Sequence, residues 1–172
     1  MIRTNSAQAA IGGGINNVVD NYEGTIPGGD SAKAAHYGEM AFASGPFVNP
    51  GDAQTSTYIL RGITTTATPL KLSLDGGNSF FMTVPVNSAW TFDILVVALN
   101  SSGSMGNFHI VGAIKNNGTV SIPSFTKDII NRDVAGWDAT VGVNSGALSI
   151  SVTGDTSNVR WVATVRTVQV MR

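Results

Sequence analysis

Ile11-Gly12-Gly13-Gly14 is answered fifteen residues later by Ile26-Pro27-Gly28-Gly29, and this echo decides how the start of the chain folds. The spacing holds at other positions: Asn17 maps to Ala32, Tyr22 to Tyr37 and Ile26 to Ala41. A looser third copy follows in Phe42-Ala43-Ser44-Gly45, then Gly51-Asp52-Ala53. A short fixed period of this kind marks stacked coils, each too small to bury its apolar side alone. Gly, Ala, Ser and Asn dominate, so there is no helix signal; Gly supplies tight corners, and small apolar residues let successive coils lie close. Ala10 to Ser56 therefore reads as a short parallel β-roll or β-helix stem, with residues 1–9 as a polar lead-in or the cut end of a preceding coil.

The same residues carry a resemblance. Ile-Gly-Gly-Gly-x-x-Asn from Ile11, Tyr-x-x-Thr-Ile-Pro-Gly-Gly-Asp-Ser-Ala-x-Ala from Tyr22, His-Tyr-Gly-Glu-Met-Ala-Phe-Ala-Ser-Gly from His36 and Gly-Asp-Ala-Gln-Thr-Ser from Gly51 resemble repeats of phage tail fibre and tailspike proteins. They are also similar to the β-roll head repeats of trimeric autotransporter adhesins. The likeness covers roughly a quarter of the chain; beyond Ser56 only a general likeness to the β-sandwich tips of tail fibres remains. It implies a homotrimer, a fibrous particle and attachment to a cell surface. Val18-Val19-Asp20 departs from the pattern, since the repeats place small residues there, and this puts the geometry of the first coil in question.

Working outward, Thr57 to Ile63 reads as a strand with Tyr58 and Leu60 on one side and Ile59 and Arg61 on the other. From Leu70 onward the apolar period is two. Leu70, Leu72 and Leu74 lead to Asp75-Gly76-Gly77-Asn78, a hairpin signal, and Phe80, Met82 and Val84 return from it. In Trp90 to Leu99, one face holds Trp90, Phe92, Ile94, Val96 and Ala98, and the other holds Leu95, Val97 and Leu99 with Asp93. A strand apolar on both faces must be covered on both: one cover is the opposite sheet, and a neighbouring subunit is a candidate for the second. Phe108, Ile110, Gly112 and Ile114 alternate with His109, Val111, Ala113 and Lys115 before the Asn116-Asn117-Gly118 turn. Thr119 to Ile122 reads as a short strand ended by Pro123, and Lys127 to Arg132 as either a helical turn or a short strand. Trp137 to Val143, Leu148 to Val152 and Val159 to Val170 complete the set. Many short strands with Gly, Asn and Asp turns argue for an antiparallel sandwich or jelly roll. The expected fold class is all-β: a short parallel stem over residues 1–56, then a jelly-roll-like β-sandwich tip over 57–172, with Lys71, Pro85 and Pro123 guarding sheet edges.

Composition narrows the function. Only 12% of residues are charged, about half the usual fraction, and Gly numbers 20. Such a surface suits a protein that packs against copies of itself. A net charge of −1 with scattered Lys and Arg gives no electrostatic case for nucleic acid. The absence of cysteine excludes a disulfide framework and a thiolate metal site. Met1-Ile2-Arg3-Thr4 leads into small and polar residues rather than an apolar signal segment, and no window approaches a membrane span.

The search for catalytic chemistry yields little. His36 sits within the repeat and reads as structural; His109 faces either solvent or a subunit interface. No metal site is expected within one chain, three copies of one histidine around a trimer axis being the one route left open. Gly12-Gly13-Gly14 lacks the Gly-Lys-Ser/Thr, the preceding strand and the following helix of a phosphate loop. Asp128, Asp133 and Asp138, spaced by five, are the carboxylates a glycosidase would use, but turn chemistry and strand-face solvation explain them more simply. The chain reads as a non-enzyme, with polysaccharide depolymerase left open. The glycan-binding candidates are Trp137 with Asn131, Arg132, Asp133 and Asp138, set against the reading that Trp137 leads an inward face with Ala139, Val141 and Val143. The loops Asn100–Gly106, Asn116–Gly118, Ser124–Gly136 and Gly154–Asn158 are candidates for specificity. The expected role is a trimeric virion fibre or spike component that binds a host cell-surface glycan or protein and other virion proteins, with no cofactor, nucleic acid or membrane insertion. The alternatives are a non-binding trimerisation or capping module, or a fragment of a bacterial surface adhesin.

Overall fold

Fifteen-residue coils stack in parallel at the start of the computed structural model, which describes residues 1–3 and 6–172. Thr4 and Asn5 of the expected lead-in lie outside the described residues. On one side of the coils run β1 (Ala10–Ile11), β3 (Thr25–Ile26) and β5 (Met40–Phe42). Ala10 stands beside Thr25, Thr25 beside Met40 and Ile11 beside Ile26, each pair fifteen residues apart. On the other side β2 (Val18–Val19) pairs with β4 (Lys33–Ala34) in the same register. Ile2 bridges to Val19, so the lead-in already forms part of a coil.

The period is enforced at the corners. Gln8, Glu23 and Gly38 all adopt left-handed backbone at φ 62°, 58° and 62°, as do Asn16 and Ser31, again fifteen apart. At Gly14 and Gly29 the constraint is harder. Both have φ in the left-handed region, and a Cβ would land on the carbonyl oxygen of Gly29 and of Ala43 respectively. Inside, Val19, Ile26, Ala32, Ala34, Ala41 and Ala43 form the core. Asn17 is buried with them and bonded throughout: its Oδ1 accepts the Ala32 N–H at 2.9 Å, and its Nδ2 donates to the Gly13 and Gly29 carbonyls. The atypical Val19 fits because Ala34 lies beside it and Gly24 leaves room for its methyl group; a Cβ on Gly24 would stand 2.6 Å from Val19 Cγ1.

β5 then pairs antiparallel with β6 (Ala53–Thr64), and through β6 the stem sheet continues into the sandwich without a break. The expected boundary at 56/57 falls inside β6, so the two regions share a strand. The remaining strands are β7 (Leu70–Lys71), β8 (Met82–Thr83), β9 (Ser88–Asn100), β10 (Met105–Asn116), β11 (Val120–Arg132), β12 (Asp138–Asn144), β13 (Ala147–Thr153) and β14 (Val159–Met171). The large sheet has the order β1-β3-β5-β6-β14-β9-β10-β11, and β12, β13, β7 and β8 form the second layer. Between the layers lies one core that includes Trp90, Trp137 and Trp161.

The period-two reading holds along β6, β9, β10 and β14, whose burial alternates residue by residue. Two local readings are corrected, and one left open between helical turn and strand is decided as strand. Leu70–Leu74 and Phe80–Val84 do not form a hairpin. β7 and β8 instead pair with the two halves of β13, at Val152/Ser151 and Leu148/Ala147, and the Asp75–Ser79 segment between them loops out. The Asp75 carboxylate holds that loop through the Ser79 and Phe80 N–H groups. Pro123 does not end its strand, and Lys127–Arg132 is not a helical turn, because β11 runs through both. β11 is an edge strand, where a missing N–H is tolerated, and the ladder is irregular opposite, between Ala113 and Lys115.

A buried polar cluster ties stem to sandwich. Glu39 is 1% exposed. Its Oε2 accepts the N–H groups of Ala35 and His36 and the His36 ring Nδ1–H at 2.9 Å, and its Oε1 accepts from Ser56, Gln54 and Tyr58 on β6. His36 Nε2 lies 2.9 Å from the carbonyl oxygen of Thr83 on β8. Nδ1 faces a carboxylate and Nε2 a carbonyl, with the Thr83 hydroxyl 3.1 Å from Nε2, an arrangement that favours the imidazolium. Burial opposes its charge, but the hydrogen bond and charge of Glu39, with the Thr83 carbonyl, raise its pKa above 6.5. Burial likewise opposes charge on Glu39, and His36 with Ser56 outweighs it, holding the carboxyl below its ordinary 4.5.

Candidate functional site

The strands of the large sheet end level with one another. Thr64 stands opposite Val159, Val159 opposite Asn100, and Gly106 opposite Arg132. The connections 65–69, 101–104, 133–137 and 154–158 therefore leave from one end of the sandwich. Of the four expected loops, Asn100–Gly106 and Gly154–Asn158 lie at this end; Ser124–Gly136 is corrected, since its residues up to Arg132 belong to β11 and only 133–136 form a loop here. The Asn116–Gly118 turn lies at the other end, next to Arg172, which reaches Asn117.

Short-range bonds stiffen these loops, and two buried indoles anchor them. Trp161 donates its N–H to Thr64 Oγ1 at 2.9 Å, and Trp137 donates to Asp155 Oδ2 at 3.0 Å. The rings pack against each other with centroids 5.9 Å apart. Asp155 Oδ1 accepts from the Ser157 N–H and hydroxyl. Asn100 Oδ1 accepts the Ser102 and Ser104 N–H groups, and its Nδ2 reaches Ser157 Oγ, joining two loops. Asp133 Oδ2 accepts the Met105 N–H at 2.8 Å, joining a third. The Met105 N–H, then the Asn131 amide, hold the Asp133 carboxyl below its ordinary range. The Ser157 hydroxyl, the Ser157 N–H and the Trp137 indole do the same for Asp155. Ser101, Ser102, Thr156 and Asn158 stand exposed around these fixed carboxylates.

The candidates drawn from the sequence divide. Asn131, Arg132 and Asp133 come together: Asn131 Nδ2 donates to Asp133 Oδ1, and Arg132 Nη1 donates to the Trp137 carbonyl at 3.2 Å. Trp137 itself is 0% exposed and offers no ring face to a ligand; it is the support beneath the loops. Asp138 turns to Lys127, at 2.8 Å. Asp128, next to Lys127 on β11, points to the opposite face beside His109, so the three evenly spaced aspartates do not converge on one cleft. His109 is half-buried on the outer face and bonds Asp93 at 2.8 Å. The sequence reading missed Asn100, Asp155 and Ser157 as individual residues. Their signal was present, since Asn100-Ser101-Ser102 and Asp155-Thr156-Ser157 have the spacing of side chains that cap the backbone two residues on.

No protein-family model matches the chain, and no curated protein matches it. Among solved structures, it is similar to the tailspike protein gp49 of Acinetobacter baumannii bacteriophage Fri1, a capsular polysaccharide depolymerase, with 11% identity and a TM-score of 0.41 over 96% of this chain and 34% of that one. It is also similar to the tailspike protein of Acinetobacter phage vB_ApiP_P1, with 10% identity and a TM-score of 0.35 over 95% of this chain and 39% of that one. The chain thus spans between a third and two fifths of the length of these tailspikes.

Proposed function

We propose that the chain is the receptor-binding part of a homotrimeric virion fibre or spike, which attaches to a host cell-surface glycan. The observation that carries this reading is the fifteen-residue parallel register running directly into the sandwich sheet. A coil of fixed period is a rod, and here it shares a strand with a head that carries loops. The resemblance of the coil motifs to fibre and spike repeats points the same way. The loops at 101–104, 133–137 and 154–158 form the contact surface. Their hydroxyls, amides and fixed carboxylates suit a hydroxyl-rich ligand, and Asn131, Arg132, Asp133 and Asp138 border it. Three such heads on one rod convert weak contacts into stable adhesion. The chain binds without cleaving.

The test is direct. The solution mass of the purified chain is measured by sedimentation, and its binding to surface polysaccharides from a panel of bacteria is recorded before and after Asn100→Ala and Asp155→Ala. A trimer whose binding falls at least about tenfold in both variants supports the reading. A monomer, or a trimer that binds neither polysaccharide nor intact cells, overturns it. Shortening of the polysaccharide that stops with Asp133→Asn or Asp138→Asn would instead make the protein a depolymerase.

A further inference from the structure

The two outer faces of the sandwich differ in kind. The smaller sheet turns outward Asp138, Thr140, Asn144, Ser151, Thr153 and Lys71, with no large apolar side chain among them, and Val143 near the end of β12 is the one large apolar side chain exposed among the described residues of its strands. The large sheet turns outward Ile59 and Ile63 on β6, Val162 on β14, and Leu95, Val97 and Leu99 on β9, between 42% and 55% exposed. The register packs them together: Val162 stands directly opposite Val97, and Ile59 and Leu95 flank Thr164 in one row. The patch continues into the stem, where Met40 and Phe42 of β5 stand on the same face beside Thr57 and Thr55. Both faces come from one chain in one solvent, so overall composition does not account for the difference. A contiguous apolar face of this size marks a contact surface.

We infer that this face is the contact between copies of the chain, laid side by side with stem against stem and head against head. The inference rests on the trimer reading above and deepens it by naming the surface. Three observations favour a copy as the occupant. With its polar margin on β10 and β11 included, the outer face of five sandwich strands about 4.8 Å apart, each about 12 residues long, presents on the order of 900 Å², close to the roughly 800 Å² per partner of a stable interface. The apolar face spans stem and head without a gap, so its occupant must be equally long, and a parallel copy is. The charges on the face are of both signs and partly matched within it: Arg166 stands across from Asp93, and Arg61, Arg160, Lys115 and Asp128 stand around the apolar patch.

The chain has no cysteine, so single thiols report cleanly. Val97→Cys places one on the apolar face and Thr153→Cys one on the polar face. In the purified wild-type chain, sedimentation gives the mass; in each variant, maleimide labelling of the native assembly gives the accessibility. The expected result is a multimer in which the Val97→Cys variant labels at least about tenfold more slowly than the Thr153→Cys variant. A Leu95→Asp/Val97→Lys double variant should sediment as a monomer with unchanged far-ultraviolet circular dichroism. A multimer with both thiols labelled equally fast overturns the assigned face while leaving the trimer reading intact. A wild-type monomer overturns both. Should the double variant fail to fold, the labelling comparison decides alone.

Discussion

Among the described residues, six side chains, four of them alanine, make up the core of the coils; twenty-four, including all three tryptophans, make up that of the sandwich. The two regions share a sheet but are held together by different means. In the sandwich, burial of large side chains is the main term, at about 25 cal/mol per Å². In the coils there is little to bury. Their order comes from a parallel ladder, from an asparagine that bonds successive coils, and from glycines where one backbone touches the next. The sandwich should therefore tolerate backbone change and suffer from truncation, and the coils the reverse.

The largest effect is expected in the sandwich. Trp161→Ala removes a buried ring and the bond to Thr64, and should lower unfolding free energy by about 3–5 kcal/mol, measured by urea denaturation. A single transition would show that the shared strand makes the two regions one cooperative unit; two transitions would separate them. Next comes the junction. Glu39→Gln leaves buried His36 without its counter-charge, a change that costs about 3 kcal/mol, the lower end for broken buried pairs because the amide keeps one acceptor. A smaller loss would mean that Gln54, Ser56 and Tyr58 carry the joint.

Within the coils, Gly29→Ala is compared with Gly118→Ala. Both glycines have left-handed φ, at +94° and +90°, but a Cβ at Gly118 meets nothing within 4 Å. Gly118→Ala should cost only the backbone term of about 1–2 kcal/mol, and Gly29→Ala clearly more, because Ala43 stands in the way. Equal losses would refute the claim that the coils depend on backbone contact. Asn17→Ala, which strands the Ala32 N–H and the Gly13 carbonyl while the Gly29 carbonyl keeps the Ile15 N–H, should cost about 1–3 kcal/mol.

The smallest effect is that of pH, and it has two limbs. The raised pKa of His36 gives stability that is fully present below 6.5 and lost as pH rises through its folded value. The lowered pKa of Glu39 gives stability present above 4.5 and lost as pH falls through its folded value. Thermal unfolding should therefore show a plateau between those limits, and Glu39→Gln should abolish the loss on its alkaline side, because burial then favours the neutral His36 ring. An unchanged profile in that variant would place the titration elsewhere.

Patterns that repeat along the chain were enough for much of this. The fifteen-residue echo set the coil register because every coil meets the same neighbour, its own copy one turn away. The alternation of Trp90 to Leu99 set both faces of β9, because a strand has only two. The chain alone also identified the loops as candidate contact surfaces. What depended on a distant neighbour was settled only in three dimensions. Trp137 has the same flanking residues whether it stacks on a ligand or on Trp161. Leu70–Leu74 and Phe80–Val84 read as a hairpin until β13 stands between their ends as a common partner. Pro123 stops a strand only where its missing N–H is needed, and β11 is an edge. Glu39 and His36 are ordinary polar residues of a repeat until β6 and β8 close over them, when the hydrogen bonds they make outweigh the burial that opposes their charges. Local sequence determines period and face; tertiary structure decides which side chain stands across, and the energy of a polar or aromatic group depends on that.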